Sequence, residues 1–185
     1  MPPSKEGASP ARTVVEGEGA KLEAAFDLAD AKQRLSVHYR IENTGDAPLA
    51  VFDRGNAHAV LTKRQKAGAV GAPLIKQDGG DVTLRHVAMP LPKPAPTVPP
   101  TPLAVKLDAG ASLDGTFDFN LSLADAPKRV RWCVGVAPFT EDGFTASKQG
   151  GEVQVWSASF AVIESQQTLC TPWYDLAGGA FEADG

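Results

Sequence analysis

The sequence predicts an all-β protein, a two-sheet antiparallel sandwich with about eight or nine strands and a proline-rich crossover. Apolar and polar residues alternate with a period of two through most of the chain, and no window longer than about ten residues holds a regular 3.6-residue period. Turn-forming residues separate the alternating runs. A chain of 185 residues, 43% of them hydrophobic, is large enough to bury an ordinary core.

The clearest predicted strand covers Gln33–Asn43. Its apolar residues fall on one face and its polar residues on the other, as expected of a strand with one buried side. The apolar residues of this face are Leu35, Val37, Tyr39 and Ile41. The same alternation predicts an earlier strand over Lys21–Asp30. Turn residues follow at Asn43–Asp46, and Pro48–Asp53 is predicted to return as the next strand.

The rest of the chain carries six further predicted strands. Each alternates, or holds a short apolar run, between segments rich in glycine, proline and aspartate. They are Ala57–Thr62, Asp81–Val87, Val105–Leu107, Ser112–Leu123, Arg129–Ala137 and Glu152–Ile163.

One segment, Pro90–Pro102, interrupts this pattern with seven prolines in thirteen residues. Each proline lacks a backbone donor and has a fixed φ, so the segment is predicted to favour polyproline II over an interior strand. It either bridges the sheets or protects an edge, or it offers a stiff ligand to an aromatic groove.

Three regions are predicted along the chain. Residues 1–11 are small, polar and proline-rich and are expected to form a flexible N-terminal segment. Residues 12–165 hold the predicted strands and form the sandwich domain. Residues 166–185 form a tail that is expected to pack in part on the sandwich, because Trp173 and Tyr174 are large aromatics that are rarely left in water.

Charge and hydropathy bear on partners and location. A net charge of −4 argues against nucleic acid as a partner. No apolar stretch approaches the ~20 residues that span a bilayer, so no transmembrane segment is predicted. Met1–Gly7 lacks the apolar region of a signal peptide, but a chain that starts after a removed leader would lack it too. We therefore expect the periplasm or cell envelope and leave a cytoplasmic location open.

The expected redox state of the two cysteines depends on that location. In an exported protein Cys133 and Cys170 are expected to form a disulfide, whereas in a cytosolic protein they are expected to be two buried thiols.

No motif for catalysis or cofactor binding is recognised in the sequence, so neither an enzyme nor a cofactor is predicted. The one metal-like cluster is His86 with Met89, and His38 and His58 are the other histidines that could join it. Residues three apart on a strand face opposite sides, so we expect a core histidine and a packed methionine, and no metal site is predicted.

Two loops carry the predicted binding residues. The first is the polar loop after the strand Pro48–Asp53; it is expected to form a recognition surface, with an acid/base pair and simple turn capping as alternatives. Its binding residues are Asp53, Arg54, Asn56 and His58. The second is the long connection Pro138–Gly151, whose aromatics either anchor the loop or contact a partner. Its binding residues are Phe139, Glu141, Asp142 and Phe144.

The stretch Leu35–Leu49, an alternating strand that ends in an Asn and a Gly-Asp turn before Pro-Leu, resembles bacterial immunoglobulin-like domains. Val105–Leu113 is similar to a later turn of those domains. The arrangement from Leu22 to Ile163 is similar to BsuPI-type intracellular proteinase inhibitors and to small bacterial envelope domains. The resemblance implies a sandwich; it transfers no inhibitory loop, because the proline-rich segment and the Cys-bearing tail depart from the usual compact form.

Taken together, these features predict a non-enzymatic binding or interaction domain of the bacterial cell envelope, with another protein as its partner. The alternative is an enzyme inhibitor or immunity-type protein that acts through loops at one end of the sandwich. Nothing in the sequence predicts an oligomeric state.

Overall fold

The structure, a computed structural model, describes residues 10–29, 33–66, 68–91, 93–94, 97, 100–146 and 154–182. Over these ranges it confirms the all-β, two-sheet architecture, with more strands than the sequence predicts. The strands are β1 Ala11–Glu16, β2 Ala20–Ala29, β3 Arg34–Asn43, β4 Leu49–Val51, β5 Leu74–Asp78, β6 Asp81–His86, β7 Leu103–Leu107, β8 Ser112–Asn120, β9 Arg129–Pro138, β10 Phe144–Ala146, β11 Trp156–Ala158, β12 Gln167–Cys170, β13 Tyr174–Asp175 and β14 Ala180–Phe181.

The smaller sheet has four antiparallel strands in the order β1-β2-β3-β8. Tyr39 on β3 lies opposite Ala24 of β2 and Gly115 of β8. As the alternation predicts, one face of this sheet is buried and the other is polar, with a cross-strand row that includes Glu23, Arg40 and Asp114.

The larger sheet is built around β9, in the order β10-β11-β7-β4-β9-β13-β14. Strand β12 also pairs with β9, and β6 pairs with both β9 and β5. The predicted two-sheet sandwich is confirmed, but the β6–β9 pairing is parallel, so this sheet is mixed instead of antiparallel throughout. A parallel pair needs a long connection, and residues 87–128 supply one.

The main core lies between the two sheets and centres on Trp132 of β9, whose ring packs against Tyr39 and Phe117 of the smaller sheet at centroid distances of 4.6 and 5.5 Å. Truncating a ring in such a core typically costs about 3–5 kcal/mol. A second apolar cluster covers the other face of the larger sheet, where Phe52 and Phe144 pack together. Most of β9 is therefore buried on both faces, which explains its near-continuous apolar run.

Several predicted strands are shorter than expected or have another secondary structure. The predicted strand Ala57–Thr62 is wrong: Ala57–Leu61 is a short α-helix, α1, because the side chain of Asn56 caps it by accepting a hydrogen bond from the backbone N–H of Ala59. Strand β8 ends at Asn120, and the predicted end Leu121–Leu123 is a 3-10 helix.

The predicted strand Glu152–Ile163 is also interrupted. Only Trp156–Ala158 is a strand, and the segment Phe160–Ser165 is a 3-10 helix capped by Ser159. Glu152 and Val153 lie outside the described residues. No helix in the described ranges is long and apolar enough to cross a membrane.

The tail supplies strands that the sequence does not predict. Strand β12 pairs with β9 so that Cys170 lies opposite Cys133, and a disulfide joins these two residues. The predicted disulfide is thus confirmed, and it ties the tail to the central strand of the larger sheet.

The proline-rich segment connects β6 to β7, which belong to the same sheet, so it does not bridge the two sheets. Its prolines 92, 96 and 99 lie outside the described residues. Pro90, Pro100 and Pro102 are described, and they lie together beside β6.

Candidate functional site

The structure divides the first predicted binding loop into a buried part and a surface part. Asp53 and Arg54 are buried, with 0% and 6% of their surfaces exposed. Asn56 caps α1, and His58 within that helix lies 2.9 Å from a guanidinium nitrogen of Arg64 through its Nδ1. The four residues therefore do not present one recognition surface.

Asp53 belongs to a buried polar cluster between the sheets. The Tyr39 hydroxyl donates a hydrogen bond to Asp53 Oδ2 at 2.5 Å, and Arg54 Nε lies 3.1 Å from Asp53 Oδ1 as an ion pair. His86 Nε2 donates to the backbone oxygen of Gly71 at 2.6 Å, and the indole N–H of Trp132 donates to His86 Nδ1 at 2.9 Å.

Burial controls the protonation of this cluster. It raises the pKa of Tyr39, and the neighbouring Asp53 raises it further. It also raises the pKa of Asp53, against the opposing effect of Arg54, and it lowers the pKa of His86. Tyr39 therefore stays a donor at neutral pH and His86 stays neutral, which agrees with the hydrogen bonds that both groups make.

The cluster holds two loops against each other. Arg54 Nη1 donates to the backbone oxygen of Gly68, and the N–H of Gly71 donates to the backbone oxygen of Asp53. Gly55 has a φ of +72°, and a Cβ on Gly71 would lie 2.9 Å from the Gly55 Cα. The buried cluster and these two glycines thus set the position of the chain on either side of a surface cleft.

This cleft, of about 310 Å³, lies beside β5 and β6, and its lining reaches from Phe52 of the second apolar cluster to His86. We call it the proline-lined cleft. Its apolar lining side chains belong to Phe52, Ala72, Leu74, Val87, Met89, Pro90, Pro100 and Pro102. Its polar lining side chains belong to Asn56, Arg85 and His86.

The polar side-chain groups of the cleft that lack a partner among the described residues are donors. Arg85 Nε is buried without a hydrogen-bond partner, and no described residue forms an ion pair with this side chain. The Oδ1 of Asn56 accepts from Ala59, which leaves its amide NH₂ with no partner among the described residues. Both ring nitrogens of His86 are already engaged. The described lining contains no carboxylate, so the cleft suits a ligand that brings acceptors.

An open sheet edge begins at the cleft. Every residue of β5 is exposed, and within the described ranges this strand pairs only with β6. Leu74 lies opposite Arg85 in the register and lines the cleft, while the next residue, Ile75, is 45% exposed. The edge and the cleft are therefore continuous through Leu74.

The second predicted binding loop is anchored by its aromatics. Phe144 is buried and stacks on Phe139 at a centroid distance of 4.7 Å, whereas Glu141 and Asp142 are exposed at the turn between them. Phe144 also packs on Phe52 at 6.4 Å, so a row of rings runs from the proline-lined cleft to this loop.

A larger groove of about 740 Å³ lies between β1 and the tail, around Trp173. The guanidinium groups of Arg129 and Arg131 lie 4.5 and 4.6 Å from its ring centre. Arg129 is already paired with Asp81 and Glu182, and it lowers the pKa of Asp81 through their hydrogen bonds. Because the charges here largely neutralise one another, we regard the proline-lined cleft as the better candidate site.

Of the residues that line this cleft, the sequence analysis named Asn56 as a binding residue but not Arg85 or Leu74, and it did not place the prolines at a site. Arg85 occupies a polar position of an alternating strand, and only the missing partner around it marks it as unusual. Among the described residues no group of three His, Cys, Asp or Glu side chains is placed to hold a metal ion.

Fold and site together define a β-sandwich with one disulfide inside its larger sheet. It has a mainly apolar cleft that carries hydrogen-bond donors and lies beside an open strand edge. Comparisons of this chain with protein-family models, curated proteins and solved structures found no match. The two-sheet architecture is shown, and the closer resemblance to bacterial immunoglobulin-like domains stays a prediction.

Proposed function

We propose that this protein is a non-enzymatic binding domain of the bacterial cell envelope that captures an extended segment of another protein along the open edge of β5. The observation that carries the proposal is the continuity of that edge with the proline-lined cleft through Leu74. An edge strand offers backbone N–H and C=O groups to an added strand, and an adjoining pocket selects its side chains.

The envelope location rests on the disulfide. Structural disulfides form and persist in oxidising compartments and are rare in the cytosol. The bond between Cys133 and Cys170 is consistent with an oxidising, extracytoplasmic compartment.

The charge on the edge favours a different chain over a second copy of this one. Lys76 lies in the middle of β5 and is exposed. Two copies paired antiparallel about this residue would place their lysines together, which is unfavourable, whereas a partner strand with an acidic residue there would be attracted.

The alternative function, inhibition of an enzyme, is favoured by one observation. The turn that carries Glu141 and Asp142 projects from the stacked pair Phe139 and Phe144, and the N–H of Gly143 bonds back to Thr140. An exposed acidic turn of this kind suits the basic site of an enzyme. A tight one-to-one complex with an enzyme that is lost in Glu141→Gln/Asp142→Asn would favour this alternative.

The proposal is tested by selecting random peptides on the immobilised full-length protein with its disulfide intact. Peptides selected on the wild type should bind Ile75→Lys at least about tenfold more weakly, because the substitution removes an exposed apolar side chain from the edge and adds a second positive charge beside Lys76. Val14→Lys is the matched control, since Val14 is a 56% exposed apolar residue on β1, an edge strand of the smaller sheet. Failure to select any peptide, or equal losses in both variants, would contradict the proposal.

A further inference from the structure

Arg85 has an unusual position for a charged side chain. It lies on the face of β6 opposite the main core, and the side chain is partly exposed, but its Nε is buried with no hydrogen-bond partner among the described residues. The prolines beside it have no N–H and add no charge. A buried donor without an acceptor is unfavourable, and a guanidinium is always charged at neutral pH. The described lining of the cleft therefore supplies no negatively charged acceptor for this side chain.

The geometry of a carboxylate matches what is missing. Arginine binds planar carboxylates through two parallel hydrogen bonds, and the amide NH₂ of Asn56 is a second donor in the same cleft. The rest of the lining is apolar apart from His86, whose ring nitrogens are both engaged, so the group that carries the carboxylate must also bring an apolar side chain.

The size of the cleft limits how much of a peptide enters it. Its volume of about 310 Å³ lies at the lower end of the ~300–1,000 Å³ range of ligand pockets. A segment that passed through would also have to bury backbone N–H and C=O groups against the side chains of Met89 and the prolines, which offer no donors. A chain that ends in the cleft avoids this, because its last group is the carboxylate itself.

We propose that the proline-lined cleft binds the C-terminal residue of the captured segment. The terminal carboxylate accepts hydrogen bonds from Arg85 and from the amide of Asn56, and the last side chain packs against Leu74, Met89 and the prolines. This inference rests on the proposed function, because the terminal residue enters the cleft from a strand paired with β5.

The test uses two synthetic peptide libraries with the same random positions, one with free C-terminal carboxylates and one with C-terminal amides. Each is incubated with the full-length, disulfide-intact protein, and captured peptides are counted and sequenced by mass spectrometry. The free-acid library should be captured at least about tenfold more strongly, with apolar last residues enriched.

Four variants assign the effect to residues. Arg85→Gln should abolish the preference for the free acid, and Arg85→Lys should keep part of it because the charge is retained. Asn56→Asp keeps a helix-capping side chain but replaces the donor with a carboxylate, so it should weaken capture of free acids. Arg40→Gln, which removes an exposed cation from the outer face of the smaller sheet, is the control and should change nothing.

The outcomes separate this inference from the proposed function. Equal capture of both libraries, with both lost in Ile75→Lys, would overturn the terminal-carboxylate site and leave strand capture standing. Arg85-dependent capture of amides that carry an internal Asp or Glu would also overturn it, by assigning Arg85 to a side-chain carboxylate. Capture of neither library would overturn both.

Discussion

The indole N–H of Trp132 donates a hydrogen bond to Nδ1 of His86 across 2.9 Å. This bond determines the tautomer of His86, because Nδ1 is the acceptor and Nε2 must carry the proton that it donates to the Gly71 oxygen. Both residues are buried, and the pair links the centre of the sandwich to a loop beside the proline-lined cleft. A neutral His86 is thus part of the folded structure.

Acid should therefore destabilise the protein through His86. Burial lowers the pKa of His86 in the folded state, whereas the unfolded chain titrates at about 6.5. As the pH falls below about 6.5, the unfolded state binds a proton that the folded state does not, so the free energy of unfolding decreases. Urea denaturation between about pH 7.5 and pH 5.5 measures this.

His86→Gln is the comparison for that experiment, since glutamine can still donate and accept one hydrogen bond but does not titrate. The variant should lose the part of the pH dependence that His86 contributes. Asp53 acts in the opposite sense, because its raised pKa gives stability at low pH that is lost as the pH rises. Asp53 is present in both the wild type and His86→Gln, so its effect cancels in the comparison. An unchanged pH dependence in His86→Gln would therefore contradict the contribution assigned to His86.

Removing the Tyr39 hydroxyl should destabilise the fold. Tyr39→Phe leaves the buried Asp53 without its hydroxyl donor, and a hydrogen bond to a charged group contributes about 1.5–3 kcal/mol. Tyr174→Phe is the control, because this residue is also buried but its hydroxyl has no hydrogen-bond partner in the described structure. Denaturant unfolding measures the free energy of unfolding of both variants. Equal losses in the two would show that the hydrogen bond to Asp53 contributes nothing specific.

Arg85→Met should stabilise the protein while weakening peptide capture. The substitution removes a buried donor without a partner, whose desolvation costs about 1–3 kcal/mol, and fills the same apolar lining. Arg129→Met should instead lower the stability slightly, because that side chain is paired with Asp81 and Glu182. Thermal unfolding measures both; a destabilised Arg85→Met would mean that Arg85 has a stabilising partner.

The double substitution Cys133→Ala/Cys170→Ala should lower the free energy of unfolding by about 2–4 kcal/mol. The disulfide closes a loop across a sequence separation of 37, which restricts the unfolded chain. Adding a reductant to the wild-type protein in the same denaturation experiment should lower its free energy of unfolding by the same amount. The reductant should not change the stability of the double variant, which has no cysteines. No difference between oxidised and reduced wild type would contradict this.

The protein isolated from its native cells should carry an intact disulfide. Intact mass with and without thiol alkylation, taken before any exposure to oxidant, should show no alkylated cysteine if the protein lies in an oxidising compartment. Two alkylated thiols would contradict the proposed envelope location and would favour an intracellular partner.

The sequence alone determines the fold class and the buried face of the central strands. In β3 the alternation of apolar and polar residues from Leu35 to Ile41 identifies the inner face. Successive side chains of a strand point to opposite sides of the sheet, so burial of one side appears in the local sequence as a two-residue repeat. The disulfide followed from the cysteine count only as one of two alternatives, and the choice depended on the pairing of β12 with β9.

Only the tertiary structure identified the candidate site. Strand β5 is exposed at every residue and so has no burial pattern to detect, and Arg85 looks like any outward polar residue until its surroundings are known. Residues Ala57–Leu61 form a helix where a strand was predicted, because the Asn56 side chain caps the helix and the short apolar run did not reveal this. Edges, unpartnered charges and clefts arise from which distant strands pack together, and a local pattern of polarity does not encode that pairing.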